Sequence, residues 1–219
     1  MNRTTVAVSG FASEVGKTTL ACELLRAFPG WEAVKMTRGH YRSCGKDPRA
    51  CCVSHLLSDE PVIRSGRAET YAAGKDTGRY WDAGASNVHW VIVTDGQVEQ
   101  GVRLALERVR AEGLIIEGNS FLDFVPVEFA LMVARSSGGR PKPSARRALP
   151  KSSALYLSEE DGETGEARAG TGAWLAEDFY RDLLGDIPVY TRAELPSLVA
   201  RIRSVHELRR ASELAAARG

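Results

Sequence analysis

The chain has no apolar run approaching the roughly 18 residues that a membrane-crossing helix needs. Its first ten residues, Met1–Gly10, are too polar for a secretory signal and lead straight into a strand pattern. Cysteine is sparse, with only Cys22, Cys44, Cys51 and Cys52 in 219 residues. Without a secretory signal, a disulfide scaffold is not expected, and the setting implied is cytoplasmic. Neither sign of charge prevails: 29 Lys and Arg face 28 Asp and Glu. That near-balance argues against a broad nucleic-acid-binding or membrane-binding surface. Lysine is scarce as well. Only Lys17, Lys35, Lys46, Lys75, Lys142 and Lys151 accompany an arginine-rich remainder, so the position of each lysine carries information.

What is present is ordinary for a soluble chain, with 43% apolar and 26% charged residues, and 219 residues suffice for one α/β domain with a full core. Short β-branched runs at Thr5–Ser9, Trp31–Thr37, Trp90–Thr94, Leu114–Ile116 and Phe129–Val133 read as buried strands. Apolar residues recur at helical spacing over Lys17–Phe28 and Gln97–Ala111. A helix over Trp174–Leu184, a short strand at Pro188–Tyr190 and a terminal helix over Pro196–Arg218 complete the pattern. Leu198, Val199, Ile202, Val205 and Leu208 of the terminal helix suit core packing or a homodimer face. Strands and helices alternate, and the strands are apolar throughout. The expected class is therefore α/β, three layers with a mostly parallel sheet flanked by helices. No linker divides the chain, so residues 1–219 are expected to form a single domain. An irregular Cys/His-containing insertion is expected at about 38–75, the kind of long loop that is usually functional.

The strongest chemical signal is Gly10-Phe11-Ala12-Ser13-Glu14-Val15-Gly16-Lys17-Thr18-Thr19. It follows a strand and opens a helix, the context in which backbone N–H groups face an anion. Gly10, Ser13, Glu14, Val15, Gly16, Lys17, Thr18 and Thr19 are thus candidate binders of a nucleoside triphosphate. Lys17 would neutralise its outer phosphates, and the Thr18 hydroxyl would face Mg²⁺. Five residues rather than the usual four separate Gly10 from Gly16, and Phe11 stands where a glycine is usual. No Asn-Lys-x-Asp occurs, which removes the usual sign of guanine without establishing adenine, so ATP and GTP both remain open.

The segment Gly-x-x-x-Glu-Val-Gly-Lys-Thr resembles the phosphate loop of dethiobiotin synthetases. These belong to the P-loop NTPases that include nitrogenase iron protein and metal-insertion GTPases. Gly74-Lys75-Asp76-Thr77-Gly78-Arg79, running into Ala83-Gly84-Ala85, and Leu114-Ile115-Ile116-Glu117-Gly118 are more similar to the adapter family of molybdopterin-guanine dinucleotide biosynthesis. The resemblance implies a slow, Mg²⁺-dependent NTPase with a protein partner in a cofactor pathway. The alternatives are an ATP-dependent ligase or kinase and a metal carrier.

Several side chains are candidates for the rest of that chemistry. Glu117 ends a strand at the edge where an α/β sheet binds ligands, and the resemblance gives it a role holding Mg²⁺ or its water. Asp76 suits either a place near the γ-phosphate or a helix N-cap. Lys35 reads either as a phosphate- and substrate-facing lysine, as the resemblance implies, or as a solvated strand end. Asp95 ranks below Glu117 because Gly96 suits a plain turn. Cys44, Cys51, Cys52 and His55, with His40 nearby, are possible ligands for Zn or an iron–sulfur cluster, or else are incidental reduced cysteines. Adjacent Cys51-Cys52 fits no standard finger spacing. Arg135 to Lys151 carries six basic residues and no acid, and Arg135 and Arg140 stand nearest its preceding strand.

Overall fold

A computed structural model describes residues 3–39, 53–158, 182 and 185–216. Its centre is one eight-stranded sheet. The strands are β1 (Thr4–Gly10), β2 (Glu32–Arg38), β3 (Val62–Ser65), β4 (Val88–Val93), β5 (Gly113–Glu117), β6 (Phe129–Arg135), β7 (Ala154–Ser158) and β8 (Val189–Tyr190). Their spatial order is β3-β4-β2-β5-β1-β6-β7-β8. Every pairing is parallel except β3 with β4 at one edge. The helices are α1 (Lys17–Ala27), α2 (Arg67–Thr70), α3 (Asp76–Asp82), α4 (Val98–Arg108), α5 (Pro143–Ala148) and α6 (Leu195–Ala216). This is the expected α/β class with a mostly parallel sheet.

The two-residue period of each strand sends alternate side chains to opposite faces. Val6 and Val8 of β1 and Ile115 of β5 join one core with Leu20 and Leu24 of α1, Tyr80 of α3, and Leu198 and Ile202 of α6. Ala7, Leu114 and Ile116 join the other with Val98 and Val102 of α4 and Ala145 and Ala148 of α5. All of β1 is buried, Thr4, Thr5 and Ser9 included, which accounts for its lack of polar alternation. The first turn before α4 is fixed by a reciprocal capping box between Thr94 and Gln97. Along α6 only Leu198 and Ile202 are buried. Val199 and Val205 pack against the same core part-buried, while Leu208, also expected there, stands exposed, as does Leu214.

Four elements depart from the sequence reading. Ala154–Ser158 has no polar alternation to mark it, because β7 lies between β6 and β8 with four of its five residues buried. Val62–Ser65 and Arg67–Thr70 are regular elements within the stretch that read as irregular. The basic, Pro-containing segment after β6 holds α5, with Pro143 in its first turn, where a missing N–H costs nothing. The acidic 159–166 segment and most of 174–184 lie outside the described residues.

β1 lies between β5 and β6, while β2 lies beyond β5. The chain thus leaves β1 in one direction and returns on its other side. This switch point opens a crevice at the carboxyl ends of β1, β2 and β5.

Candidate functional site

Residues 10–16 link β1 to α1 around this crevice. Glu14 adopts φ 56° and Gly16 φ 85°. Glycine suits the second position because a Cβ there would meet left-handed strain, and such turns gather backbone N–H groups into an anion-facing concavity. Lys17 folds back over Gly10. A Cβ on Gly10 would lie 2.5 Å from the Lys17 Cδ, and the ammonium instead donates to the Ala12 carbonyl at 3.4 Å.

Two side chains that sequence reasoning passed over brace the loop. The Asn119 amide brackets Gly10, accepting from its N–H at 2.9 Å and donating to its carbonyl at 2.8 Å. The Ser158 hydroxyl donates to the Val15 carbonyl at 2.9 Å. Position directly after Glu117-Gly118 was the only signal for Asn119, and the missed β7 concealed Ser158.

Beneath the loop lies a polar cluster. β2 and β5 pair with Lys35 opposite Glu117. The Lys35 Nζ donates to Glu117 Oε1 at 2.5 Å and stands 2.5 Å from Asp76 Oδ2. The Thr18 hydroxyl donates to Glu117 Oε2 at 2.8 Å. The Tyr80 hydroxyl, fully buried, donates to the same Glu117 oxygen. Tyr80 was not singled out in the sequence; its place at one turn past Asp76 in α3 was the available clue.

The electrostatics follow from this packing. Burial pushes the Lys35 ammonium down, but Glu117 and Asp76 outweigh it and hold its pKa above the usual lysine value. Burial pushes the Asp76 carboxyl up, and the Lys35 charge and hydrogen bond more than offset that, leaving it below the ordinary aspartate value. Burial, reinforced by the Glu117 charge, raises the Tyr80 phenol well above its ordinary value, so it remains a donor. Lys17 has its pKa lowered by burial, opposed by Glu117 and assisted by Lys35. Burial and the charges of Lys17 and Arg38 bring Lys142, whose backbone N–H bonds the Phe11 carbonyl, to about 8.

A cavity of about 810 Å³ borders the loop, with residues 13–19, Lys35, Asp76 and Glu117 in its wall. Arg135 reaches it and donates to the Glu14 carbonyl at 2.8 Å, whereas Arg140 is exposed and outside its wall. Asp95 is exposed and paired with Arg38 at 2.7 Å, apart from the cluster. Asp76 is the first residue of α3, but it makes no N-cap bond; its carboxylate turns to Lys35 instead. Thr19 accepts from Arg79 at 3.0 Å. Hard oxygen donors from Thr18, Asp76 and Glu117 suit Mg²⁺, which favours carboxylates, water and phosphate oxygens.

Cys44, Cys51 and Cys52, with His40, lie outside the described residues. His55 is exposed in a short 3₁₀ turn, Ser54–Leu56. Among the described residues no group of three or more His, Cys, Asp or Glu side chains is arranged to hold a metal ion. Cys22 is buried and free, packed in α1. No helix among the described residues is long and apolar enough to cross a membrane.

No family model matches the chain, and no curated protein matches it. Among solved structures, it is similar to LpxK from Aquifex aeolicus in complex with ATP, with 17% identity over 72% of this chain and a TM-score of 0.46. It is also similar to a Zn(II)-bound triple mutant of the YjiA GTPase, with 14% identity over 87% of this chain and a TM-score of 0.41. The Zn(II)-bound YjiA GTPase from E. coli gives 11% identity over 92% of this chain and a TM-score of 0.34. The chain spans 48%, 58% and 54% of those three structures.

Proposed function

We propose that the chain is a P-loop NTPase domain that binds a Mg²⁺–nucleoside triphosphate, ATP or GTP, and hydrolyses it slowly. One observation carries this reading. Lys17 and Thr18 open α1 behind a loop of left-handed turns, and the Thr18 hydroxyl is 2.8 Å from Glu117 in the wall of the same cavity. In this reading the loop N–H groups and the α1 N-terminus bind phosphate oxygens, and Lys17 neutralises the outer phosphates. Thr18 and Glu117 hold Mg²⁺ or its water, with Asp76 beside them. Bound Mg²⁺ supplies charge neutralisation across the phosphate oxygens. Tyr80 fixes the Glu117 carboxylate, and Asn119 and Ser158 fix the loop. The patches at 74–79 and 114–118, similar to those of the molybdopterin-guanine dinucleotide adapters, favour service to a partner protein in a cofactor pathway.

A second reading, an ATP-dependent ligase or kinase, is favoured by Lys35. Its ammonium lies at the cavity wall beside Asp76, where an acceptor substrate would meet the terminal phosphate. Phosphate release from Mg·ATP and Mg·GTP separates the two. The adapter reading expects slow release unaffected by small carboxylic acids. Strong stimulation by such an acid overturns it in favour of the ligase, and the absence of any triphosphate binding overturns both.

A further inference from the structure

Among the described residues, Lys35 is the basic side chain inserted between Asp76 and Glu117, paired with both carboxylates. Its ammonium is 2.5 Å from one oxygen of each carboxylate, and only 17% of the side chain is exposed. Glu117 is 2% exposed, and its second oxygen is taken by Thr18 and Tyr80. The oxygen set that suits a divalent cation is thus already organised around a cation, the protein's own. Two carboxylates around one ammonium leave one negative charge in excess. A divalent ion in place of the ammonium would cancel it, and the released ammonium would carry its charge to the phosphates. The flexible four-carbon stem of lysine makes that movement available, and the cavity lies on the same side as Lys17 and the loop.

We infer that Lys35 is a built-in counter-cation that keeps the Thr18–Asp76–Glu117 oxygens closed to divalent metal until an incoming phosphate chain draws its ammonium away. The inference rests on the nucleotide reading above and adds an order to it: the nucleotide-free protein refuses metal, and metal and triphosphate load together. The same contacts make Lys35 a positioning residue. While it is tied to the carboxylates it keeps them apart from any metal, and once released it is free to reach the outer phosphates.

The test uses Mn²⁺ alone, followed by electron paramagnetic resonance, on the nucleotide-free full chain. The wild type should bind Mn²⁺ weakly. Lys35→Met should bind it at least about tenfold more tightly, one molar equivalent, and the gain should vanish when Glu117→Gln is added. Lys35→Arg, which restores the cation, should return Mn²⁺ affinity to the wild-type level. Equal affinity in wild type and Lys35→Met overturns the inference, as does a gain that survives Glu117→Gln. Should Lys35→Met fail to fold, the wild type alone suffices. With only six lysines in the chain, ¹³C-lysine labelling resolves the Lys35 Cε signal, assigned with Lys35→Arg. That signal should ignore millimolar Mg²⁺ and shift when Mg²⁺ and inorganic triphosphate are added together. A shift with Mg²⁺ alone, or none with both, contradicts the inference. Calorimetry with Mg·ATP and Mg·GTP separately reports on the nucleotide reading, so its failure is not confused with failure of the Mn²⁺ arm.

Discussion

Two carboxylates are buried at opposite ends of the same sheet, and they are used differently. At the carboxyl ends of the strands, Glu117 takes hydrogen bonds from Lys35, Thr18 and Tyr80 and borders the cavity. At the amino ends, Glu32 opens β2, 4% exposed. It pairs with His89 Nε2 at 2.8 Å and accepts the backbone N–H groups of Arg110 and Ala111, each at 2.9 Å. His89 Nδ1 in turn meets the Ser65 hydroxyl at 2.8 Å. Nε2 donates to Glu32, since a carboxylate only accepts, and Nδ1 carries the chain on to Ser65. Glu32 lies outside the cavity wall, and its partners include the backbone after α4, so its network ties β2, β3, β4 and that turn together. Glu117 is held by side chains alone, on three different elements, and faces open space. Burial and hydrogen-bond count are alike in the two. The difference is that two partners of Glu32 are fixed backbone N–H groups, whereas the partners of Glu117 are side chains at a cavity wall.

That contrast breaks most visibly under truncation. Glu32→Ala strands two backbone N–H groups and a buried histidine. Each stranded buried donor costs about 1–3 kcal/mol, so the variant should lose about 3–5 kcal/mol of stability, read by urea unfolding, while the protein that remains folded keeps its triphosphate affinity. Glu117→Gln should reverse the weighting. It leaves Lys35 paired with Asp76 and should cost roughly 1–2 kcal/mol of stability, yet lower Mg²⁺-dependent triphosphate affinity by about tenfold or more. A loss of affinity in Glu32→Ala equal to that in Glu117→Gln would erase the distinction.

Acid sharpens it on a smaller scale. Burial raises the Glu32 pKa, but bonds from His89, Arg110 and Ala111 outweigh it and leave the net value lowered, as Lys35 does for Asp76. A carboxyl with a native pKa below its unfolded value stabilises fully above the unfolded value, near pH 4.3 for Glu and 3.9 for Asp, and loses that contribution as pH falls through the native one. Stability should therefore be flat from about pH 7 to 5 with respect to these two groups and decline below about pH 4. Glu32→Gln should flatten the decline. An unchanged acid limb in that variant would show that the Glu32 network contributes no pH-linked stability.

The loop and its helix were legible because their signals are local. Thr5–Ser9 became Thr4–Gly10 and Lys17–Phe28 became Lys17–Ala27, since a β-branched run and a 3.6-residue period need no distant partner. Thr18, Lys35, Asp76 and Glu117 were each visible, but their meeting was not. It depends on the register that sets Lys35 opposite Glu117 and on α3 bringing Asp76 and Tyr80 against α1. Asn119 and Ser158 were invisible because their roles consist of bonds to backbone more than a hundred residues away. Glu32 and His89 were missed for a related reason: they sit within apolar strands, where period-two reasoning expects only packing.

If the 10–19 loop binds a nucleoside triphosphate through Lys17, isothermal titration calorimetry of wild type and Lys17→Ala with Mg·ATP and Mg·GTP will show it. Wild type should bind at least one of the two. Lys17→Ala should lose about 2–5 kcal/mol of that binding, roughly 30- to 4,000-fold in affinity, with its fold intact by circular dichroism. Binding of equal affinity in both proteins would mean that Lys17 and its loop are not the triphosphate site.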